Sequence, residues 1–289
     1  MILKWSSSIY KQITVDRQSL LCYMPDSLLR ALVMAWEKRY EELYESEADG
    51  TVLLEEVLEE ILDSFQSSNQ TLSHIRQVWM ALILACVIEP TVKYYQPHNR
   101  VPEETVTLLT DWLLKTIREV LNHQICFSRA SESKVNNTSV NICDVYSDKK
   151  ISSFQALSEP LDVYASAIKV LEANYSVEAL LDILDDCLEG YAIFPGSYGR
   201  RELFNWWLLD IVPSSWYLLP PSSIYSLDKL TDEQNMFCFE KLEKISSIIW
   251  NMILSVNQDV REIETLLSFR NTFNSLNESN IKLKNNQLF

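Results

Sequence analysis

Glycine is scarce in this chain, with 4 residues among 289. Average usage of about 7% would give roughly twenty. Strand-rich folds need glycine for tight turns and bulges, and phosphate-binding loops need it where the backbone approaches a phosphate. The scarcity argues against all of these classes. Together with apolar residues at helical spacing, it predicts an all-α protein, either an irregular multi-helix bundle or a short α-solenoid of about nine helices.

Residue types that hold metals or act as nucleophiles are few and scattered. The histidines are His74, His98 and His123, and the six cysteines form no CxxC motif. His123 and Cys126 are one pair of candidate ligands without the second pair that a zinc site needs. The motifs GxSxG, HExxH and GxxxxGK[ST] are also missing from the sequence. We therefore expect no metal and no cofactor, and the dispersed cysteines predict a reducing, cytoplasmic location.

Basic residues are fewer than acidic ones in this chain. The 25 Lys and Arg residues face 40 Asp and Glu residues, which gives a formal net charge of −15. Proteins that bind nucleic acid draw most of their affinity from neutralising phosphates, so this balance argues against such a partner. The longest apolar run, residues 78–88, is too short to span a bilayer, and residues 1–12 lack the apolar core of a signal peptide. We expect neither nucleic acid nor a membrane as partner.

Apolar residues at helical spacing divide the chain into two helical halves. The predicted helices cover residues 26–46, 51–65, 71–89, 103–127, 158–174, 176–190, 200–211, 231–256 and 259–276. A polar, aperiodic stretch separates the fourth from the fifth. The resulting divisions are an N-terminal half (1–128), a linker (129–150), a C-terminal half (151–276) and a frayed tail (277–289).

Acidic residues are concentrated near the start of the chain. One face of the second predicted helix consists of Glu55, Glu56, Glu59 and Glu60. Such a run is usually a solvated helix face, but its charge can also steer a basic protein toward this surface. These four residues are the predicted acidic partner surface.

A second group of acids lies on one helical face in the C-terminal half: Asp182, Asp185, Asp186 and Glu189. The run Asp-Asp-Cys-Leu-Glu at 185–189 resembles the Asp-rich motif of class I terpene synthases. The spacing of Asn251, Ser255 and Asp259 is similar to the second metal-binding motif of that family. The resemblance implies a magnesium-dependent enzyme acting on a diphosphate substrate. The alternative is a solvated face, because apolar residues occupy the opposite side of the same helix.

Residues 191–225 combine paired arginines with a high density of aromatic residues and prolines. The run from Gly196 to Arg201 suggests a flexible turn before a helix, which could bind an anion or pair its arginines with nearby acids. Adjacent Trp206 and Trp207 cannot point the same way, so we expect one in the core and the other against a neighbouring element or a partner. The predicted partner-binding residues are Arg200, Arg201, Trp206, Trp207, Trp216 and Tyr217.

Two functions remain open at this stage. The preferred one is a non-catalytic interaction, adaptor or regulatory module that binds another protein, a basic one if the acidic helix face takes part. The alternative is the terpene-synthase-like enzyme, whose metal ligands would be Asp185, Asp186, Glu189, Asn251, Ser255 and Asp259.

Overall fold

The computed structural model describes residues 24–48, 50–65, 70–126, 157–193, 196–223 and 232–256. Within these ranges the protein is helical and has no strand, which confirms the predicted all-α fold. The α-helical segments are α1 (Asp26–Glu37), α2 (Leu54–Asp63), α3 (Gln70–Tyr95), α4 (Val101–Cys126), α5 (Ser158–Lys169), α6 (Ser176–Leu184), α7 (Gly196–Trp206), α8 (Val212–Tyr217) and α9 (Asp232–Val256). Two π turns, Asp185–Glu189 and Trp207–Ile211, continue α6 and α7.

Helix α3 lies at the centre of the bundle. It contacts α4 beside it in the sequence, and also α5, α6, α8 and α9 from the second half of the chain. Every residue from 77 to 89 is buried, so α3 is apolar around its whole circumference. A helix with that pattern belongs in the interior of a protein. The two predicted halves consequently share one hydrophobic core, whereas the predicted linker and tail lie outside the described residues.

The prediction that this helix ends before Pro90 is wrong. Proline lacks the N–H that would bond the carbonyl four residues earlier, and its ring crowds that carbonyl, at a cost of about 3 kcal/mol. Ile88 and Val92 on either side are fully buried, and each such side chain contributes roughly 1.5–3 kcal/mol. Packing therefore carries the helix through to Tyr95.

The observed α3 is longer than the apolar run 78–88 that the sequence analysis compared with a membrane span. By length and composition, Gln70–Tyr95 is apolar enough to cross a bilayer, but 83% of its most apolar window is buried inside the protein. A core helix passes the same test, and the burial here assigns α3 to the core.

Several observed helix boundaries differ from the predicted ones. Apolar spacing predicts burial, but turns as well as helices can bury a side chain. The first helix ends at Glu37 instead of residue 46, and turns follow it. Tyr40 and Leu43 are still buried, and the Tyr40 hydroxyl donates to the Ala35 carbonyl at 3.0 Å. The predicted turn at 196–201 is instead the start of α7.

Candidate interaction surface

Arg201 anchors the turns that follow α1. Its guanidinium donates to the carbonyls of Trp36 and Lys38, the latter at 2.9 Å, and lies 3.3 Å from Glu45 Oε2. The carbonyls at a helix C-terminus have no intrahelical partners, so this cation caps α1. Glu45 also accepts the Tyr40 N–H at 2.9 Å. The contacts fix residues 38–48, and Arg201 is directed at the protein instead of at solvent.

Arg200 is buried, with 1% of its surface exposed. Its Nη1 donates to the Leu188 carbonyl at 2.9 Å. The guanidinium carbon lies 4.9 Å from the ring centroid of Tyr44 and 5.4 Å from that of Tyr191, within cation–π range. Within the described residues its Nε has no hydrogen-bond partner. Arg200 joins three segments of the fold, and its burial removes it from direct contact with a partner.

The adjacent tryptophans face opposite environments, as expected from their spacing. Trp207 is fully buried and stacks on Phe204, with ring centroids 6.1 Å apart. Trp206 is half-buried, and its Nε1–H donates to the Ser223 carbonyl at 2.9 Å. Trp207 is therefore a core residue, while Trp206 packs against a neighbouring segment.

Trp216 is also part of the core, with 7% of its surface exposed. The guanidinium of Arg76 lies 3.4 Å above its ring, and Arg76 Nε donates to the Trp216 carbonyl at 2.9 Å. Burial lowers the pKa of Arg76 to about 10. The neighbouring Tyr217 is half-buried. The predicted partner-binding set thus contains three buried side chains, Arg200, Trp207 and Trp216, because large side chains at helical spacing are drawn into the core.

Two acidic runs that are distant in sequence meet in space, because α2 packs on α6. Burial raises the pKa of Glu189 to about 7, and the neighbouring carboxylates of Asp185, Glu42 and Glu55 raise it further. Glu55 belongs to the predicted acidic partner surface, and Glu189 to the separate acidic helix. Glu56, Glu59 and Glu60 are exposed on the same helix as Glu55.

Asp186 lies in a similar environment. Burial raises its pKa to about 7, and Asp162, Asp185, Glu159 and Asp182 act in the same direction. Burial is the larger cause of both raised pKa values, and the like charges of neighbouring carboxylates add to it, since both disfavour the ionised form. Together these groups form what we call the acidic surface, which consists of Glu42, Glu55, Glu159, Asp162, Asp182, Asp185, Asp186 and Glu189.

Few cationic side chains lie against the carboxylates of the acidic surface. Among its members only Asp182 forms an ion pair within the described part of the chain, with Lys169 at 3.8 Å. The π turn carries three of the acids, and such turns occur often at functional sites. Sequence analysis did not select Glu42, Glu159 or Asp162, since only tertiary packing brings them here.

The predicted metal ligands are not brought together by the described residues. No group of three or more His, Cys, Asp or Glu side chains there is arranged to hold a metal. The π turn with Asp185 and Asp186 contacts α5, α6 and α7, whereas α9, with Asn251, packs mainly on α3 and α4. The side chain of Ser255 and all of Asp259 lie outside the described residues. The magnesium-dependent reaction stays a prediction.

No protein-family model matches the chain, nor does any curated protein or solved structure. The function of the acidic surface is accordingly argued from its own contacts and charges.

Proposed function

We propose that this protein is a non-catalytic interaction module that binds a basic segment of another protein through the acidic surface. The observation that carries the proposal is the grouping of eight carboxyl groups from four segments of the fold, among which only Asp182 has an ion-pair partner within the described residues. Without a counter-charge, such crowding is unfavourable. Lysine or arginine side chains of a partner would supply that charge.

The same charge distribution favours rapid encounter. A surface of one sign raises the local concentration of oppositely charged partners and speeds their association, and added salt weakens this effect. Since exposed ion pairs each contribute only about 0–1 kcal/mol, specificity requires several of them acting together. The acidic surface offers eight carboxylates on a helical scaffold, which suits an extended basic segment better than a single charge.

A cytoplasmic location is part of the proposal. Cys86, Cys187 and Cys238 are buried, free thiols. Proteins of oxidising compartments more often pair their cysteines in disulfides, so free thiols support a reducing compartment.

The proposal is tested by neutralising three carboxylates of the acidic surface. A control variant loses the same number of negative charges elsewhere on the protein. The test variant carries Glu55→Gln, Asp185→Asn and Glu189→Gln. The control carries Asp111→Asn, Glu119→Gln and Glu243→Gln, three exposed acids on α4 and α9. Each variant loses three negative charges. Proteins captured from the native host are compared for both variants, and each candidate partner is then purified for direct titration.

We expect a partner with a basic segment that binds the wild type and the control alike and binds the test variant at least tenfold more weakly. Its affinity should fall as salt increases, with a smaller slope for the test variant. Equal affinity for all three proteins, or a partner without a basic segment, would contradict the proposal.

A further inference from the structure

Three buried cysteines come together in the core. Cys86 lies on α3, Cys238 on α9 and Cys187 in the π turn that follows α6, and at most 3% of the surface of each is exposed. All three are free thiols. The hydroxyl of Tyr164, which donates to the Ala85 carbonyl at 2.8 Å, lies near all three sulfurs. Elements that are distant in sequence thus bring thiols to one place in the interior.

Two of these thiols are in direct contact. Cys238 and Cys86 share a side-chain hydrogen bond where α9 packs on α3. A buried free cysteine packs as a small apolar residue, but only a pair of facing thiols can be joined covalently. The S–S bond of about 2 Å needs two side chains that approach each other from neighbouring elements. Cys86 and Cys238 meet this requirement without any rearrangement of the helices that carry them.

The reactivity of the pair is limited by its surroundings. The thiolate is the reactive form of cysteine, and the hydrogen bond with Cys86 together with burial raises the pKa of the Cys238 thiol. The ammonium of Lys241, about one turn further along α9, acts in the opposite direction. Cys238 is also the less deeply buried of the two, with 3% of its surface exposed against 0% for Cys86. Attack on an oxidant therefore begins at Cys238, and it is slow.

We propose that Cys86 and Cys238 form a reversible disulfide that fastens α9 to α3 when the surrounding pool of small thiols becomes oxidised. This inference is independent of the proposed function. The thiolate of Cys238 attacks one sulfur of a low-molecular-weight disulfide, which gives a mixed disulfide and releases the first small thiol. The thiolate of Cys86 then attacks the Cys238 sulfur and releases the second. The two protein thiols lose two electrons and two protons, and the small disulfide takes them up as two thiols.

The slow first step determines what the pair responds to. Disulfide exchange takes from seconds to hours, so a buried pair is unaffected by a brief exposure to oxidant and follows a sustained change in the thiol pool. Disulfides in reducing compartments are usually transient and act in catalysis or redox sensing. The link would close a loop of roughly 150 residues, which restricts the unfolded chain and raises the melting temperature.

The test equilibrates the full-length protein overnight in oxidised or in reduced glutathione. Free thiols are then alkylated, and mass spectrometry of the digest identifies the linked peptides. We expect the Cys86–Cys238 link in most molecules in oxidised glutathione and in none in reduced glutathione. The linked protein should melt on the order of 5–10 °C higher, and dithiothreitol should reverse both changes.

Cys238→Ala and Cys86→Ala should each abolish the rise in melting temperature. Cys187→Ala is the matched control, because Cys187 is as deeply buried near the same Tyr164 hydroxyl, and it should keep both the link and the rise. Each variant is compared with its own reduced form, so that any loss of stability from the substitution itself cancels.

Four outcomes would overturn the inference. Glutathione could stay attached to Cys238 without closure to Cys86, another pair of cysteines could be linked in preference, or neither thiol could react in the folded protein. The fourth is a link that lowers the melting temperature, because α9 and α3 would then have to be displaced to form it.

Discussion

The segment 196–223 and the acidic surface are both rich in charged or aromatic residues, but they differ in how those groups are partnered. In 196–223 three charged side chains have partners within the fold: Arg201 pairs with Glu45, Arg200 donates to the Leu188 carbonyl, and Asp210 accepts hydrogen bonds from Ser222 and Ser223. Buried polar atoms without a hydrogen-bond partner among the described residues also occur in this segment: Arg200 Nε, Asn205 Oδ1, Trp207 Nε1 and Ser215 Oγ. On the acidic surface eight carboxyl groups lie near one another, and only Asp182 has an ion-pair partner among the described residues. The two regions therefore differ in charge balance: the arginines of 196–223 are matched by carbonyls and a carboxylate, whereas the acidic surface has an excess of one sign.

The two adjacent tryptophans test the assignment of 196–223 to the core, and the expected effect is the largest. Trp207→Ala should lower the free energy of unfolding by about 3–5 kcal/mol, since it removes a fully buried side chain and leaves a cavity. Trp206→Ala should cost clearly less, because that side chain is half-buried. Urea unfolding of both variants measures the difference. Equal losses would mean that the two side chains are packed alike.

Removing the Arg201 contacts that hold residues 38–48 should have an intermediate effect on the free energy of unfolding. Arg201→Ala removes hydrogen bonds from a charged donor to two carbonyls and to Glu45. Such bonds contribute about 1.5–3 kcal/mol, so we expect a loss of roughly 2 kcal/mol in thermal or urea unfolding. Arg201→Lys should recover only part of it, since an ammonium lacks the planar fork. Full recovery by lysine would show that charge alone supports the turn.

The acidic surface should make stability depend on pH, with a smaller effect than either of the two substitutions above. The pKa values of Asp186 and Glu189 are raised to about 7 in the folded protein, so between pH 4 and 7 the folded state binds more protons than the unfolded state. Their contribution to stability therefore falls as pH rises through this window and is lost above it. Replacing both with Asn and Gln should reduce the drop in melting temperature between pH 5 and pH 8.

Glu243→Gln is the control for that experiment, because it removes one exposed acid from α9. Its pH profile should match the wild type. A profile that is equally steep in the Asp186/Glu189 variant would show that the pKa values of these carboxyls are not raised in the folded protein.

Much of the fold could be predicted from composition and local spacing. The apolar positions Leu54, Leu58, Ile61, Leu62 and Phe65 repeat at helical intervals, and all are buried. Burial of one helix face is a local property that the sequence displays directly. The passage of α3 through Pro90 was not predictable in this way, because it depends on packing from distant helices.

The candidate surface was harder to predict for the same reason. Glu55 and Glu189 were each selected from the sequence, but their proximity depends on the packing of α2 on α6. The burial of Arg200 depends on a carbonyl and two rings from other segments. Local sequence contains no information about such long-range contacts, so the two glycines of 196–201 favoured a flexible turn.

The central position of α3 has a consequence for how the protein opens. Backbone amide hydrogens exchange with solvent through the opening reaction that exposes them at the lowest free energy. A helix packed on every side opens only together with its neighbours. Exchange in α3 should thus report the global free energy of unfolding, while the turns at 38–48 exchange through smaller openings. Because α3 contacts helices from both halves of the chain, neither half can lose its structure without exposing this helix. The described helices should accordingly unfold as one cooperative unit.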